Sequence, residues 1–224
     1  TVFGLEQGTP VEERWRPMGL YADRILPWFT DLALAPAAIA EQRAALLQGL
    51  AGNVLEVGFG TGLSLRHYPK DVTRLVALDP KHPPLKRVAQ RIAAAPFPVE
   101  HLPFDPDRPY PLDAGSVAAV ASMFSLCTIP EPAGALREIY RVLQPGGRFV
   151  FLEHGKAEQP GLHRWQRRLT PLWGRFTGGC RLDRDIFALV EAAGFEPVSH
   201  ERVRVEAVPP WMGRLYRGVA VKPR

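Results

Sequence analysis

The sequence predicts an α/β fold: a seven-stranded, mostly parallel sheet with an antiparallel edge pair and covering helices at the N-terminus. Three observations carry this. Apolar runs of strand length alternate with helix-like segments from Asn53 to Val221, which demands a parallel sheet with right-handed crossovers. The run Val54-Leu55-Glu56-Val57 leads directly into Gly58-Phe59-Gly60-Thr61-Gly62, a glycine turn at the end of a buried strand. A second apolar run, Arg74 to Asp79, ends on an acid.

The glycine turn bears on ligand class. Without Cβ atoms at Gly58, Gly60 and Gly62 the backbone can lie against a ligand, and a helix after the turn would present free N–H groups to it. A dinucleotide fingerprint needs Gly-x-Gly-x-x-Gly, and Leu63 stands where its third glycine belongs. The spacing here is Gly-x-Gly-x-Gly, with Glu56 two residues ahead. Asp79 lies 17 residues after Gly62, at the strand end where nucleotide-binding folds place an acid against ribose hydroxyls. Its simpler role is to cap the next helix, with Pro80 and Pro83 nearby.

Each element has its own local signal. Residues 1–17 read as a loose arm. Met18–Phe29 and the Ala-rich Pro36–Leu50 read as helices, the second stopped by Gly52. Asn53–Val57 is the first strand, Leu63–Tyr68 the start of a helix, and Arg74–Asp79 the second strand. Pro84–Ala95 is a helix and Pro98–Leu102 the third strand, succeeded by Phe104 and Asp105 in a proline-rich loop. Val117–Met123 is the fourth strand. A helix from Glu131 to Leu143 ends at Gln144-Pro145-Gly146-Gly147, and Arg148–Glu153 is the fifth strand. Pro171 should bend or restart any helix in the basic, Trp-containing stretch beyond it. Asp183–Ala193 is a helix closed by Gly194, and Pro197–Val205 and Leu215–Val221 are the last strands. The domain reading is a single unit over 1–224. It comprises an N-terminal arm and helices (1–50), a ligand-binding core (53–155), a covering insert (156–182), and a C-terminal helix with edge strands (183–224).

Composition narrows the class. The chain has 224 residues, 46% of them hydrophobic and 23% charged, which is ordinary for a globular protein. No apolar run reaches the ~20 residues that span a bilayer, and Thr1–Pro17 is charged rather than signal-like. A cytoplasmic protein is the expectation. The net charge of +5 rests mostly on arginine, with Arg164, Arg167, Arg168 and Arg175 close together. That cluster is a solvated basic face or a site for an anionic substrate or membrane surface; membrane contact is possible but not expected. Cys127 and Cys180 are far apart and form no Cys-x-x-Cys pair, so neither a disulfide framework nor a metal site is expected.

Glu56–Gly62, Asp79, and the run Ala135–Gly147 with its Pro-Gly-Gly corner resemble class I S-adenosylmethionine (SAM) methyltransferases over Asn53–Gly155. The resemblance implies the Rossmann-like class I methyltransferase fold and SAM as cofactor. It implies that Glu56, Gly58, Gly60, Thr61 and Gly62 hold the methionine part, and that Asp79 and Pro80 lie at the ribose. Phe104 and Asp105 would meet the adenine, and Ser122 and Met123 would line the pocket from the fourth strand.

The C-terminal half resembles a narrower group. Leu126-Cys127-Thr128-Ile129-Pro130, Glu153-His154-Gly155, Trp165-Gln166-x-x-Leu169-x-Pro171-Leu172-Trp173 and Gly179-Cys180-x-Leu182-x-Arg184-Asp185-Ile186 look like the alkyl-thiol S-methyltransferases of animals and their bacterial relatives. That resemblance implies His154 and Glu153 in catalysis, and Cys127, Trp165, Trp173 and Cys180 around a small-molecule acceptor. Each has a plainer reading: His154 bonded to a loop, Glu153 paired with an arginine, Cys127 as buried filler, and the tryptophans as core. His101 and Asp105 are further candidate bases.

In-line transfer of a methyl group to a small-molecule thiol is the leading reading. A phospholipid or quinone acceptor is the alternative, and a SAM-binding protein without turnover is the alternative of another class. A nucleic-acid substrate is not expected, because Ser122-Met123-Phe124-Ser125 stands where a base-flipping motif would lie.

Overall fold

Seven strands build the sheet: β1 (Gly52–Val57), β2 (Val72–Asp79), β3 (Val99–Pro103), β4 (Val117–Met123), β5 (Leu143–His154), β6 (Glu196–Arg204) and β7 (Arg214–Val221). The computed structural model describes Tyr21 and residues 25–80, 86–103, 108–206 and 208–224. The predicted arm, the start of the first predicted helix, and Phe104 and Asp105 lie outside the described residues.

Strand order is β3-β2-β1-β4-β5-β7-β6. The first five strands pair in parallel, and β7 runs antiparallel to both β5 and β6. The expected parallel sheet with an antiparallel edge pair is what forms. It is β7 that enters the sheet, and β6 that takes the edge. Residues of β7 are mostly buried, whereas β6 is largely exposed and carries Glu196, Pro197, Glu201, Arg202 and Arg204. Charge and proline at an edge protect it from pairing with another chain.

Helices α1 (Leu26–Leu34), α2 (Ala37–Leu47), α3 (Lys86–Ala93), α4 (Pro132–Val142), α5 (Pro160–Phe176) and α6 (Ile186–Ala192) surround the sheet. Alternate strand residues feed two cores, as the period of two requires. Leu55, Val120, Phe149 and Phe151 pack with Leu136 and Ile139 of α4 and Ile186 and Val190 of α6. Val54, Ala121, Val150 and Leu152 pack with Ile39 and Leu47 of α2 and Val88 of α3. Among the described residues, no helix is long and apolar enough to cross a membrane.

Four local expectations change. The first helix runs to Leu34 rather than Phe29, because Pro27 falls in its first turn, where a missing N–H costs nothing. The helix expected over Leu63–Tyr68 is only a short 3-10 turn, Leu65–His67. Pro69 comes next, and the residue before a proline disfavours helical backbone, so Tyr68 is extended at ψ 136°. No helix dipole therefore stands behind the glycine turn. The corner Gln144-Pro145-Gly146-Gly147 is not a free turn but a bulged start of β5, where pairing jumps from Val117–Leu143 to Ala119–Arg148. Finally, α5 runs unbroken through Pro171. Buried Gln166 and Thr170 anchor it ahead of the proline, and Trp173 packs just after it.

Candidate active site

The reversal of strand order lies between β1 and β4, which is where open α/β sheets bind ligands at the carboxyl ends of their strands. The glycine turn leaves β1 there. Gly58, Gly60 and Gly62 all have positive φ (73°, 57° and 75°). Their surroundings differ. A Cβ at Gly58 would lie 1.9 Å from the Ser125 hydroxyl, and one at Gly62 would lie 2.9 Å from the Phe59 ring. At Gly60 a Cβ would meet only the Gly58 carbonyl at 3.9 Å. Gly60 therefore opens onto free space while its two neighbours hold the turn against the protein. That open backbone, with the Asp79 carboxylate accepting the Gly60 N–H at 2.8 Å, fits a cofactor carrying a ribose. Pro80 is exposed directly after Asp79.

Glu56 is buried, and its carboxylate accepts from the Tyr68 hydroxyl at 3.0 Å. Burial pushes its pKa up to about 7, against the opposing pull of Ser64, Tyr68 and the Arg43 cation. Arg43, on α2, is itself buried and was not foreseen from sequence. Nothing in the Ala-rich helix pattern distinguishes it from a solvated arginine. The Thr61 hydroxyl donates to Asp31 of α1. Arg91 binds the same carboxylate at 3.1 and 3.2 Å and donates to the Thr61 carbonyl at 2.8 Å, and Arg87 pairs with Asp31 at 2.9 Å. Asp31 thus ties α1 to the glycine turn, again without a sequence signal.

The next two strand exits are stitched by Glu153. It is buried at the end of β5, and it accepts from the Ser122 hydroxyl at 2.8 Å and from the backbone N–H groups of Ser125, Leu126 and Cys127 at 3.0, 3.1 and 3.0 Å. Both oxygens are engaged by the chain. The structure thus gives Glu153 the geometry of a loop anchor, in place of the arginine pair considered from sequence. Burial still raises its pKa, against those four hydrogen bonds. Ser122 is occupied by Glu153, and Met123 packs in the core beneath. The chain then leaves β4 through Phe124, with φ 63°, the one non-glycine positive φ among the described residues. Its ring lies 5.0 Å from that of His154. Backbone held in that region is strained and persists only where its surroundings dictate it.

His154, Cys127 and Cys180 meet at this point. The Cys180 and Cys127 sulfurs are 3.6 Å apart, and His154 Nδ1 lies 3.4 Å from Cys180 and 3.8 Å from Cys127. All three donor atoms fall within 4.8 Å of one another. The sequence spacing suggested no metal site and no cysteine pair. Neighbouring strands β4 and β5 bring residues 127 and 154 together, and the insert folds back to add residue 180. The Arg181 N–H donates to the Cys127 carbonyl at 2.8 Å, and Gly179, at φ 101°, passes 3.3 Å from the Thr128 carbonyl at the position of its missing Cβ. Both cysteines are free. Burial, then the hydrogen bond and charge of Cys180, push the Cys127 thiol well above its usual pKa.

The two tryptophans separate. Trp173 packs on the Cys127–Cys180–Leu182 cluster and stands edge-on to Trp211 at 5.5 Å. Trp165 is 57% exposed, 5.9 Å from the Arg168 guanidinium, and has none of Trp173's contacts with the cluster. Two residues not singled out as functional hold the insert in place. Gln166, fully buried, accepts from Ala157 N–H at 2.7 Å and donates to the Gly155 and Trp211 carbonyls at 3.1 and 3.0 Å. Arg184 donates to the carbonyls of Leu126, Ile129 and Pro130, fixing the loop that carries Cys127. Both stand in the motifs quoted from the sequence, so position was legible and role was not. His101 lies on β3, at the far edge of the sheet.

This fold and this turn define a class I methyltransferase. Residues 55–151 match the family model described as a methyltransferase domain. The human thiol S-methyltransferase TMT1A is 32% identical over 170 residues, covering 70% of this chain and 68% of its own. The ubiquinone/menaquinone biosynthesis C-methyltransferase UbiE of Methylobacterium nodulans is 34% identical over 111 residues, covering 40% of this chain and 43% of its own. In fold, a putative methyltransferase from Bacillus halodurans superposes with a TM-score of 0.62 at 21% identity, covering 85% of this chain and all of that one. The chain belongs to the SAM-dependent methyltransferase family that includes human TMT1A, a family of enzymes whose cofactor is SAM.

Proposed function

We propose that this enzyme methylates the sulfur of a small apolar thiol. The observation that carries the reading is the Cys127–His154–Cys180 cluster, both cysteines buried and His154 half-buried, at the exits of β4 and β5, beside the glycine turn. Similarity to a human thiol S-methyltransferase supports it. SAM supplies a sulfonium methyl: the acceptor sulfur forms the new C–S bond, the sulfonium C–S bond breaks to release S-adenosylhomocysteine, and the thiol proton leaves to solvent.

Gly60 and Asp79 bind the cofactor in this reading, with Glu56 beneath the turn. Phe124, Trp173 and the insert exclude water from the acceptor. His154 presents Nδ1 to the cysteine sulfurs at 3.4 and 3.8 Å. A ring N–H donor stabilises a thiolate. A thiol of pKa near ~8.5 costs only about 2 kcal/mol to ionise at neutral pH, within reach of one such donor. With Glu153 engaged by four donors of the chain, no second base is needed.

A lipid-like acceptor such as a phospholipid or quinol has one observation in its favour. Trp28, Leu32, Trp165, Leu172 and Phe176 are exposed on α1 and α5, and the Tyr21 hydroxyl donates to the Phe176 carbonyl at the end of α5 at 2.6 Å. The deciding experiment is incubation with methyl-labelled SAM and a panel of thiols, phospholipids and quinols. Label in a thioether supports the thiol reading. Label in lipid or quinol alone overturns it.

A further inference from the structure

Three soft ligands at one point have a use that neither the fold nor the comparisons assign. We propose that Cys127, His154 and Cys180 bind a zinc ion, and that its open fourth position takes the acceptor thiol as thiolate. The second half rests on the thiol reading; the first does not.

The distances fit the ion. Zinc–sulfur bonds of ~2.3 Å and zinc–nitrogen bonds of ~2.0–2.1 Å in a tetrahedron place two sulfurs ~3.8 Å apart and sulfur and nitrogen ~3.5 Å apart. The three separations here are 3.6, 3.4 and 3.8 Å. A zinc ion with two thiolates is neutral overall, so it adds no uncompensated charge beside the two buried cysteines. Thiolate and imidazole ligands select zinc over the hard cations that prefer oxygen.

The ligands are held ready. Glu153 accepts the Cys127 N–H, Arg184 donates to the carbonyls on either side of that loop, and the Arg181 N–H fixes the Cys127 carbonyl. Such support around the ligands is what a metal site requires. Among the described residues only three donors converge. Three protein ligands and one open position is the arrangement of catalytic rather than structural zinc. A thiol that binds there gives its proton to solvent and arrives as thiolate beside the sulfonium methyl.

The test uses the whole chain. Protein incubated with Zn2+ and gel-filtered should retain about one zinc per chain by mass spectrometry, as one complete ligand set predicts. Co2+ in its place should show thiolate-to-cobalt charge-transfer bands. Cys127→Ser and Cys180→Ser should lose both, while S-adenosylhomocysteine titration shows whether each variant remains folded. Wild-type protein that retains no zinc, shows no such bands, or isolates with a Cys127–Cys180 disulfide overturns the site. Adding a thiol that the enzyme methylates should strengthen the cobalt bands by a third sulfur. An unchanged spectrum overturns the role of the open position. Failure of the thiol reading looks different, with metal bound and no thioether formed.

Discussion

The Gly60 N–H donates to the Asp79 carboxylate at 2.8 Å, so the turn after β1 and the acid that ends β2 form one unit within the protein itself. The parallel pairing of β1 and β2, with Val57 opposite Leu78, makes that contact possible. Asp79 shapes the turn, and in the proposed reading it also binds ribose. Asp79→Ala should weaken S-adenosylhomocysteine binding by about 1.5–3 kcal/mol, the scale of hydrogen bonds to a charged group. Asp79→Asn, which keeps an acceptor for Gly60, should lose less. Titration calorimetry on the two variants checks this, and equal affinities for Ala and wild type would remove Asp79 from the site.

Glu56 should give the cofactor-free enzyme a distinctive pH dependence. Its folded-state pKa is about 7, against an ordinary 4.5. Because the folded value is raised, the folded protein holds a proton that the unfolded chain releases between those values. Stability therefore falls as pH rises from about 4.5 to about 7, by a few kcal/mol at most. Glu56→Gln should flatten that window. The measurement is thermal unfolding of both proteins across pH 5 to 8, and parallel curves would refute the assignment.

Glu153 is expected to act through position. Glu153→Gln replaces a carboxylate oxygen by an NH2 group facing donors, so it should destabilise the fold by about 3 kcal/mol. Urea denaturation gives the number. Variant protein that keeps wild-type stability yet loses turnover would return Glu153 to the chemistry.

Asp31 should govern the docking of helix α1. Helix α1 buries none of its own residues, and its carboxylate contacts with Arg87, Arg91 and Thr61 are its ties to the turn. Asp31→Ala should cost about 1–2 kcal/mol of local stability and speed proteolysis within residues 26–34 by roughly tenfold. Cleavage rates under limiting protease report this directly, and unchanged rates would show that α1 is held otherwise.

His154→Ala should lower turnover of a thiol by the ~10²-fold typical of such assistance. Affinity for S-adenosylhomocysteine should stay within about twofold, roughly 0.4 kcal/mol, because Gly60 and Asp79 are untouched. Steady-state rates and calorimetry on one preparation separate the two effects. Unchanged rates would reduce His154 to a neighbour of the cysteines.

The sequence by itself determined the strands, their parallel sense and the glycine turn. These come from local rules: apolar runs of strand length, three alternating glycines, and an acid at a strand end. It also located the residues that close the C-terminal half, since Cys127, His154, Gln166, Cys180 and Arg184 all fall in its recognisable runs. Only the tertiary structure decided what they do. Residues 127, 154 and 180 become neighbours because β4 pairs with β5 and the insert returns over both, a fact absent from their spacing. Trp165 and Trp173 are indistinguishable in sequence, yet one faces solvent and the other packs on the cysteines. Arg43 and Asp31 look like ordinary surface charges until helix packing buries one and docks the other on the glycine turn. Periodicity fixes which face of an element is apolar; which charged group then meets which partner depends on distances between elements, and those exist only in the folded chain.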